Sequence, residues 1–152
     1  NKTPFGVCRN YFGPLEYIDL YDADIEPSEY LTDGAGWQMS IKFLKNDEDD
    51  VLPGFAFGRC YSLKTVILPK NMKRVRERAF QESEYLETLV IGDECEEFVW
   101  SALDDCASIT RMYILSKKKL AMENESWVCR NLCNNYSPTF DAFYVRPSLY
   151  QE

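Results

Sequence analysis

The side chains that could do chemistry in this chain are its cysteines and carboxylates. The sequence holds six cysteines and 25 aspartates and glutamates, but no histidine. Without imidazole the chain lacks the commonest general base and metal ligand, and every Ser–His or Cys–His nucleophile pair. Its seven glycines form no phosphate-binding loop of the GxGxxG or GxxxxGK[ST] type. We therefore predict that the protein is not an enzyme, and we predict no metal site and no cofactor.

The cysteines favour buried thiols over reactive ones. Cys60 and Cys106 share one position of a repeat described below, and Cys8 and Cys133 share another that elsewhere holds alanine. Small buried thiols are common and inert. Cys129 and Cys133 leave two alternatives open, a disulfide within a long loop or two free thiols, and no second ligand pair is spaced to complete a zinc site.

The carboxylates cluster in two short runs, at 47–50 and 93–97. Oxygen ligands suit calcium, so a weak calcium site is one alternative, but the spacing matches no calcium-binding loop. Solvated loop edges are the favoured interpretation. The formal charge of -8 predicts repulsion from nucleic acid and anionic lipid. No apolar run approaches the roughly 18 residues of a membrane span.

The elements that must position these residues come from a repeat of 23 residues. The segments AFGRCYSLKTVIL (56–68), AFQESEYLETLVI (79–91) and ALDDCASITRMYI (102–114) align without gaps. Seven small or apolar positions recur, and in the first clear unit they are Leu52, Ala56, Phe57, Cys60, Leu63, Val66 and Leu68. A fixed period with drifting residues between is typical of stacked units that each bury the same face.

Within a unit the spacing predicts a short strand and a short return. Val66 and Leu68 point to one face of the strand, and Thr65 and Ile67 to the other. The return, as from Val75 to Phe80, is too short for a long helix and predicts a brief extended or single-turn segment.

The repeat predicts one domain over residues 1–152 with about six coils. Clear repeats span 56–78, 79–101 and 102–124. The spacing of Leu15, Ile18 and Leu20 returns at Ile41 and Phe43, which predicts two divergent coils within 1–55. It returns again at Phe140, Phe143 and Val145, which predicts a long loop and a capping strand within 125–152.

The motif AF-x-x-C-x-S-L-K-x-V-x-L-P, from Ala56 to Pro69, resembles the BspA-type leucine-rich repeat of many gut and oral bacterial proteins. The ending FYVRPSLY, residues 143–150, is similar to the closing strand of that family but carries an extra Arg146. The resemblance is closest over 50–115. It implies a leucine-rich-repeat solenoid that is mostly β, curved and right-handed, with a parallel sheet on its concave face and short irregular outer segments.

The resemblance also implies an adhesion-type bacterial protein that is secreted or held at the cell surface and binds other proteins, such as host or matrix proteins. Buried unpaired thiols are equally compatible with the cytoplasm. The apolar pairs Pro4-Phe5 and Tyr11-Phe12 leave the solenoid end without a polar cap, which is consistent with a homo-oligomer or a truncated array.

The candidate binding residues are those between the buried positions of each strand, since they face outward on the predicted concave sheet. Tyrosine and arginine are enriched at interface hot spots. The predicted site comprises Tyr17, Asp19, Tyr21, Lys42, Ile67, Val90, Arg111, Tyr113, Tyr144 and Arg146. One alternative is that β-branched and aromatic residues are present only because they favour strands. The chain is then a structural spacer or a fragment of a larger repeat protein. Sugar binding by the exposed tyrosines is a further variant.

Overall fold

The computed structural model describes residues 15–27, 48–99, 101–118, 120–122 and 142–145. These residues form short strands joined by turns, with no helix among them. In chain order the strands are β1 (Tyr17–Asp19), β2 (Val51–Leu52), β3 (Thr65–Ile67), β4 (Arg74–Val75), β5 (Thr88–Ile91), β6 (Glu97–Phe98), β7 (Arg111–Ile114), β8 (Ala121–Met122) and β9 (Ala142–Val145).

The strands alternate between two parallel sheets. One sheet has the order β1-β3-β5-β7-β9 and the other the order β2-β4-β6-β8. One pass through both sheets makes a coil, and successive coils pair in register, with Thr65 opposite Thr88 and Thr88 opposite Arg111. The predicted period of 23 residues is therefore confirmed for these coils, as is the mostly strand, parallel-sheet architecture. The extent of the domain over residues 1–152 stays a prediction.

The alternation along each strand places the predicted residues in the core. Val66, Leu89 and Met112 point inward from the five-stranded sheet and are at most 3% exposed. The Ala-Phe pairs of the return segments are also buried, and the rings of Phe57 and Phe80 stack with centroids 5.4 Å apart. The remaining large buried side chains include Leu52, Phe55, Leu63, Leu68, Met72, Leu86, Ile91 and Phe98.

The predicted position of the second coil is wrong. A strand at 41–43 was expected between the first coil and the coil of Val66, but β1 pairs directly with β3, Ile18 opposite Val66. The main-chain amides of Thr65 and Leu20 donate to Glu16 and Ile67 across this junction, at 3.0 and 2.9 Å. One strand edge holds one neighbour, so no other strand fits there. Residues 41–43 themselves lie outside the described part of the chain.

The return segments contain two left-handed residues per coil that the repeat pattern did not reveal. Six of them recur at the 23-residue period with φ between 55° and 59°, and none is glycine: Phe55, Arg78, Ser101, and Arg59, Glu82, Asp105. Such a conformation costs about 1–2 kcal/mol for a residue with a Cβ. Main-chain hydrogen bonds from each turn to the next offset this cost, for example Phe57 N to Ala79 O at 2.7 Å and Phe80 N to Ala102 O at 2.8 Å.

A buried polar position joins neighbouring coils beside these turns. The Ser83 hydroxyl donates to the carbonyl oxygen of Phe57, and the Cys106 thiol donates to that of Phe80 at 3.0 Å. The Ser83 oxygen also accepts from the amide of Cys60 at 3.2 Å. The position shared by Cys60, Ser83 and Cys106 therefore requires a small side chain that can donate a hydrogen bond to the preceding coil.

Replacing Ser83 tests this position. We expect Ser83→Ala to lower the free energy of unfolding by about 1–3 kcal/mol, because it removes two buried hydrogen bonds, one to the Phe57 carbonyl and one from the Cys60 amide. Ser83→Cys should cost clearly less, because Cys106 makes the same bond one coil later. Urea denaturation of both variants measures the difference. Equal stability of Ser83→Ala and the wild type would contradict this assignment.

Two coils approach each other closely at Gly92. A Cβ atom at this position would lie 1.9 Å from the carbonyl oxygen of Pro69 and 2.9 Å from the Cα of Lys70. Both are main-chain atoms, which cannot move without disturbing the pairing of the coils. At Gly58, by contrast, a Cβ would meet the side-chain ring of Phe55 at 2.9 Å.

The two glycines form a matched pair for substitution. We expect Gly92→Ala to lower the free energy of unfolding by about 3 kcal/mol or more, since overpacking against backbone forces the coils apart. Gly58→Ala should cost less because a side chain can adjust. Thermal and urea unfolding of the two variants give the comparison, and a Gly92→Ala protein as stable as Gly58→Ala would refute the close approach.

Candidate binding face

The outward face of the five-stranded sheet consists of rows of side chains that run across the strands. The central row is Asp19, Ile67, Val90, Tyr113 and Tyr144, one residue from each strand, in register. With neighbouring strands about 4.8 Å apart, this row is about 19 Å long. Its five side chains are exposed or partly exposed, in contrast to the buried residues between them. The row begins with a carboxylate, continues with two aliphatic side chains and ends with two aromatic rings.

The two tyrosines at the end of the central row form one flat surface. The rings of Tyr113 and Tyr144 are nearly parallel, with an interplanar angle of 6° and centroids 4.5 Å apart. Tyr144 retains 47% of its surface exposed. Stacked rings lose little further conformational freedom on binding, so they form a rigid contact surface.

A second row lies beside it, at the start of the strands. It contains Tyr17, Thr65, Thr88 and Arg111. The Tyr17 hydroxyl donates to Asp19 Oδ2 at 3.4 Å. Partial desolvation, together with the negative charge of Asp19, raises the pKa of Tyr17 above its usual value. The carboxylate of Asp19 in the central row therefore also contacts the second row, at the β1 edge of the sheet.

An open pocket lies on the other side of the central row. Its volume is about 640 Å³, and it is lined by Asp19, Tyr21, Asp22, Ala23, Ile67, Val90 and Leu115. Tyr21 forms one wall; its hydroxyl contacts Asp93 Oδ1 at 3.4 Å, and the Lys70 ammonium lies 5.7 Å from its ring centroid.

The structure brings most of the predicted site residues together on this face. Lys42 and Arg146 lie outside the described residues. Of the other eight, five form the central row, Tyr17 and Arg111 lie in the second row, and Tyr21 forms a wall of the pocket. Sequence reasoning missed Leu115, although it follows Tyr113 by two residues and the strand alternation would have placed it on the same face. It also missed Asp22 and Ala23, because nothing in the sequence shows how the chain turns after β1.

The acidic runs are engaged by cations of neighbouring coils. Asp50 pairs with Lys73 at 2.9 Å, Glu94 pairs with Lys117 at 2.6 Å, and Glu96 pairs with Lys118. The hydrogen bond between the last two raises the pKa of Lys118 and lowers that of Glu96. Exposed pairs of this kind add little stability. Across the described ranges no group of three His, Cys, Asp or Glu side chains is arranged to hold a metal ion.

The described cysteines are free thiols of the core. Cys60, Cys95 and Cys106 are buried and form no disulfide. Burial raises the pKa of Cys95 to about 12 and raises that of Cys106 as well. A thiol that stays protonated is a poor nucleophile. Cys8, Cys129 and Cys133 lie outside the described residues, so the disulfide between the last two stays a prediction.

Alkylation with iodoacetamide near neutral pH tests the state of these thiols. We expect Cys60, Cys95 and Cys106 to stay unmodified in the folded protein and to react fully in concentrated guanidinium chloride, as peptide mass mapping will show. A Tyr85→Cys variant is the positive control, since Tyr85 is 55% exposed. Rapid modification of Cys95 under native conditions would contradict its burial and its raised pKa.

Comparison with known proteins agrees with this architecture. Within the described part of the chain, nothing forms a helix of the length and apolarity that crossing a bilayer requires. The family model described as "BspA type Leucine rich repeat region (6 copies)" matches residues 50–140, which is more than half of the chain. No curated protein and no solved structure matches the sequence of this chain. The repeats seen in the sequence, their parallel pairing and the family match lead to one conclusion: the chain belongs to the BspA-type leucine-rich repeat family.

Proposed function

We propose that this protein is a non-enzymatic interaction module that binds a protein partner through the outward face of its five-stranded sheet. The observation that carries the proposal is that no described part of the chain covers this face. Parallel sheets almost always have both faces covered by other parts of the protein. Here one face packs on the core, while Ile67, Val90, Tyr113 and Tyr144 remain accessible on the other.

The composition of the face supports a protein as the partner. Its centre is aliphatic, its far end holds stacked tyrosines, and Arg111 and Tyr17 are exposed in the neighbouring row. Aromatic residues and arginine dominate the binding energy of protein interfaces. Strand propensity explains why such residues are tolerated here, but it does not explain why partly exposed aliphatic and aromatic side chains lie next to one another across four strands.

Family membership supports the same function. Leucine-rich repeats of this type are typically non-enzymatic and suggest a protein-interaction module. We extend this to an adhesion role at the bacterial cell surface or in the surrounding medium, with a host or matrix protein as the partner. The alternative is a structural spacer that carries no ligand on this segment.

Val90→Arg tests the proposal, because it introduces a long charged side chain at the middle of the central row. We expect at least one protein from a panel of purified matrix and cell-surface proteins to bind the wild type. Its affinity for Val90→Arg should be at least about tenfold lower, which corresponds to about 1.4 kcal/mol. Surface plasmon resonance measures the binding.

Tyr85→Arg is the matched control, since Tyr85 is an exposed residue outside the five-stranded sheet. It should bind like the wild type, and thermal unfolding should show that both variants are folded. If the wild type binds no member of the panel, or if Val90→Arg binds as well as the wild type does, the spacer alternative replaces the proposal.

A further inference from the structure

We propose that the pocket beside β1 holds a lysine or arginine side chain of the protein partner. The aliphatic stem would lie on Ile67 and Val90, and the charged group would reach Asp19. This inference rests on the proposed function, since it names the partner chemistry that one end of the binding face recognises.

Two hydrogen bonds hold the carboxylate of Asp19 in place. Its Oδ1 accepts a hydrogen bond from the main-chain amide of Tyr21 at 2.9 Å, and its Oδ2 accepts from the Tyr17 hydroxyl at 3.4 Å. Among the described residues no lysine or arginine forms an ion pair with Asp19. Two neutral donors thus hold the carboxylate in place before any partner arrives, which lowers the entropic cost of binding a cation.

The second carboxylate of the pocket differs in this respect. Asp22 forms an ion pair with Lys70 at 2.5 Å, and the Lys70 ammonium also lies near the ring of Tyr21. The Lys70 hydrogen bond to Asp22 raises the pKa of this lysine. The cation of the neighbouring coil is therefore committed to Asp22, and Asp19 is the carboxylate of the pocket that an incoming cation can use.

The floor of the pocket selects the kind of cation. Ile67, Val90 and Leu115 are partly exposed and present only aliphatic atoms. Lysine and arginine bury their methylene stems along such surfaces while the charged group reaches a polar site. A purely apolar side chain would desolvate Asp19 without giving it a partner, which is unfavourable. An acidic side chain would be repelled by Asp19 and by the net charge of -8.

A random peptide library displayed on phage supplies the probe, and it is selected on immobilised wild-type protein. We expect the retained peptides to be enriched in lysine or arginine next to an apolar residue. Peptides that bind wild type but not Val90→Arg are then synthesised in two forms, one with the basic residue and one with citrulline or norleucine in its place.

Binding of both peptide forms to the wild type and to Asp19→Asn completes a double-mutant cycle. We expect loss of the peptide's charge to weaken binding to the wild type about tenfold and to have little effect on Asp19→Asn. The Asn amide oxygen can still accept from Tyr21, so the turn is kept. Asp24→Asn is the control with the same change of net charge, because Asp24 bonds Asn71 and does not line the pocket; it should behave like the wild type.

The outcomes separate this inference from the proposed function. The selected peptides could depend on Val90 and yet show no enrichment in lysine or arginine, or removing their charge could weaken binding to Asp19→Asn as much as to the wild type. Either result would overturn the inference but not the proposed binding face. A library that yields no peptide dependent on Val90 would overturn both. The difference in affinity between the basic and the neutral peptide could disappear equally in Asp19→Asn and in Asp24→Asn. The preference for a basic residue would then reflect general electrostatic attraction to the protein and not the pocket, which also overturns the inference.

Discussion

The main-chain hydrogen bonds between successive coils are the interaction on which the rest of the structure depends. They occur at three places in each coil: the five-stranded sheet, the four-stranded sheet and the return turn, where Phe57 N donates to Ala79 O. In the clear coils the step is 23 residues at all three places, whereas β6 and β8 pair at a step of 24 and β7 and β9 at a step of 31. Because side chains alternate at every residue of a strand, a slip of one residue would exchange the buried and exposed faces. Inserting or deleting a residue within a strand therefore shifts its register, whereas the longer steps from β6 to β8 and from β7 to β9 show that residues can be added between strands.

The details of the core follow from this close stacking. Alanine recurs at positions 56, 79 and 102, where the return turns lie directly above one another and all three residues are buried. Ser83 and Cys106 join neighbouring coils because each donates a hydrogen bond to a main-chain carbonyl of the preceding coil. The three cysteines in the described part of the chain are thus accounted for by packing and hydrogen bonding, and burial suppresses their chemistry as nucleophiles.

The same stacking leaves the outward face of the five-stranded sheet available. Each coil buries one face of its strand against its own return segment, so the other face carries no structural duty beyond pairing. Its two ends differ: the β1 end holds Asp19 and the pocket, and the β9 end holds the tyrosine pair. A partner that crosses the strands meets charge at one end and flat aromatic surface at the other, which gives the face a direction.

The sequence by itself determined the repeat, the identity of the inward and outward residues in the clear coils and the small-residue positions, because these properties are local and recur at a constant interval. Eight of the predicted site residues could be placed on or beside one face by alternation alone. Leu115 was within reach of the same reasoning and was overlooked. The left-handed turn residues, such as Arg78, could not be predicted from the sequence, since they vary in type and none is glycine.

Only the tertiary structure decided which strands become neighbours and what lies between them. The apolar spacing at Ile41 and Phe43 suits a strand, but pairing depends on which edge is occupied, and β3 occupies the edge of β1. The pocket likewise arises from residues of four coils, and Lys70 pairs there with Asp22. Such contacts join residues far apart in the chain, and their partners follow from the stacking of the coils, which no local pattern encodes.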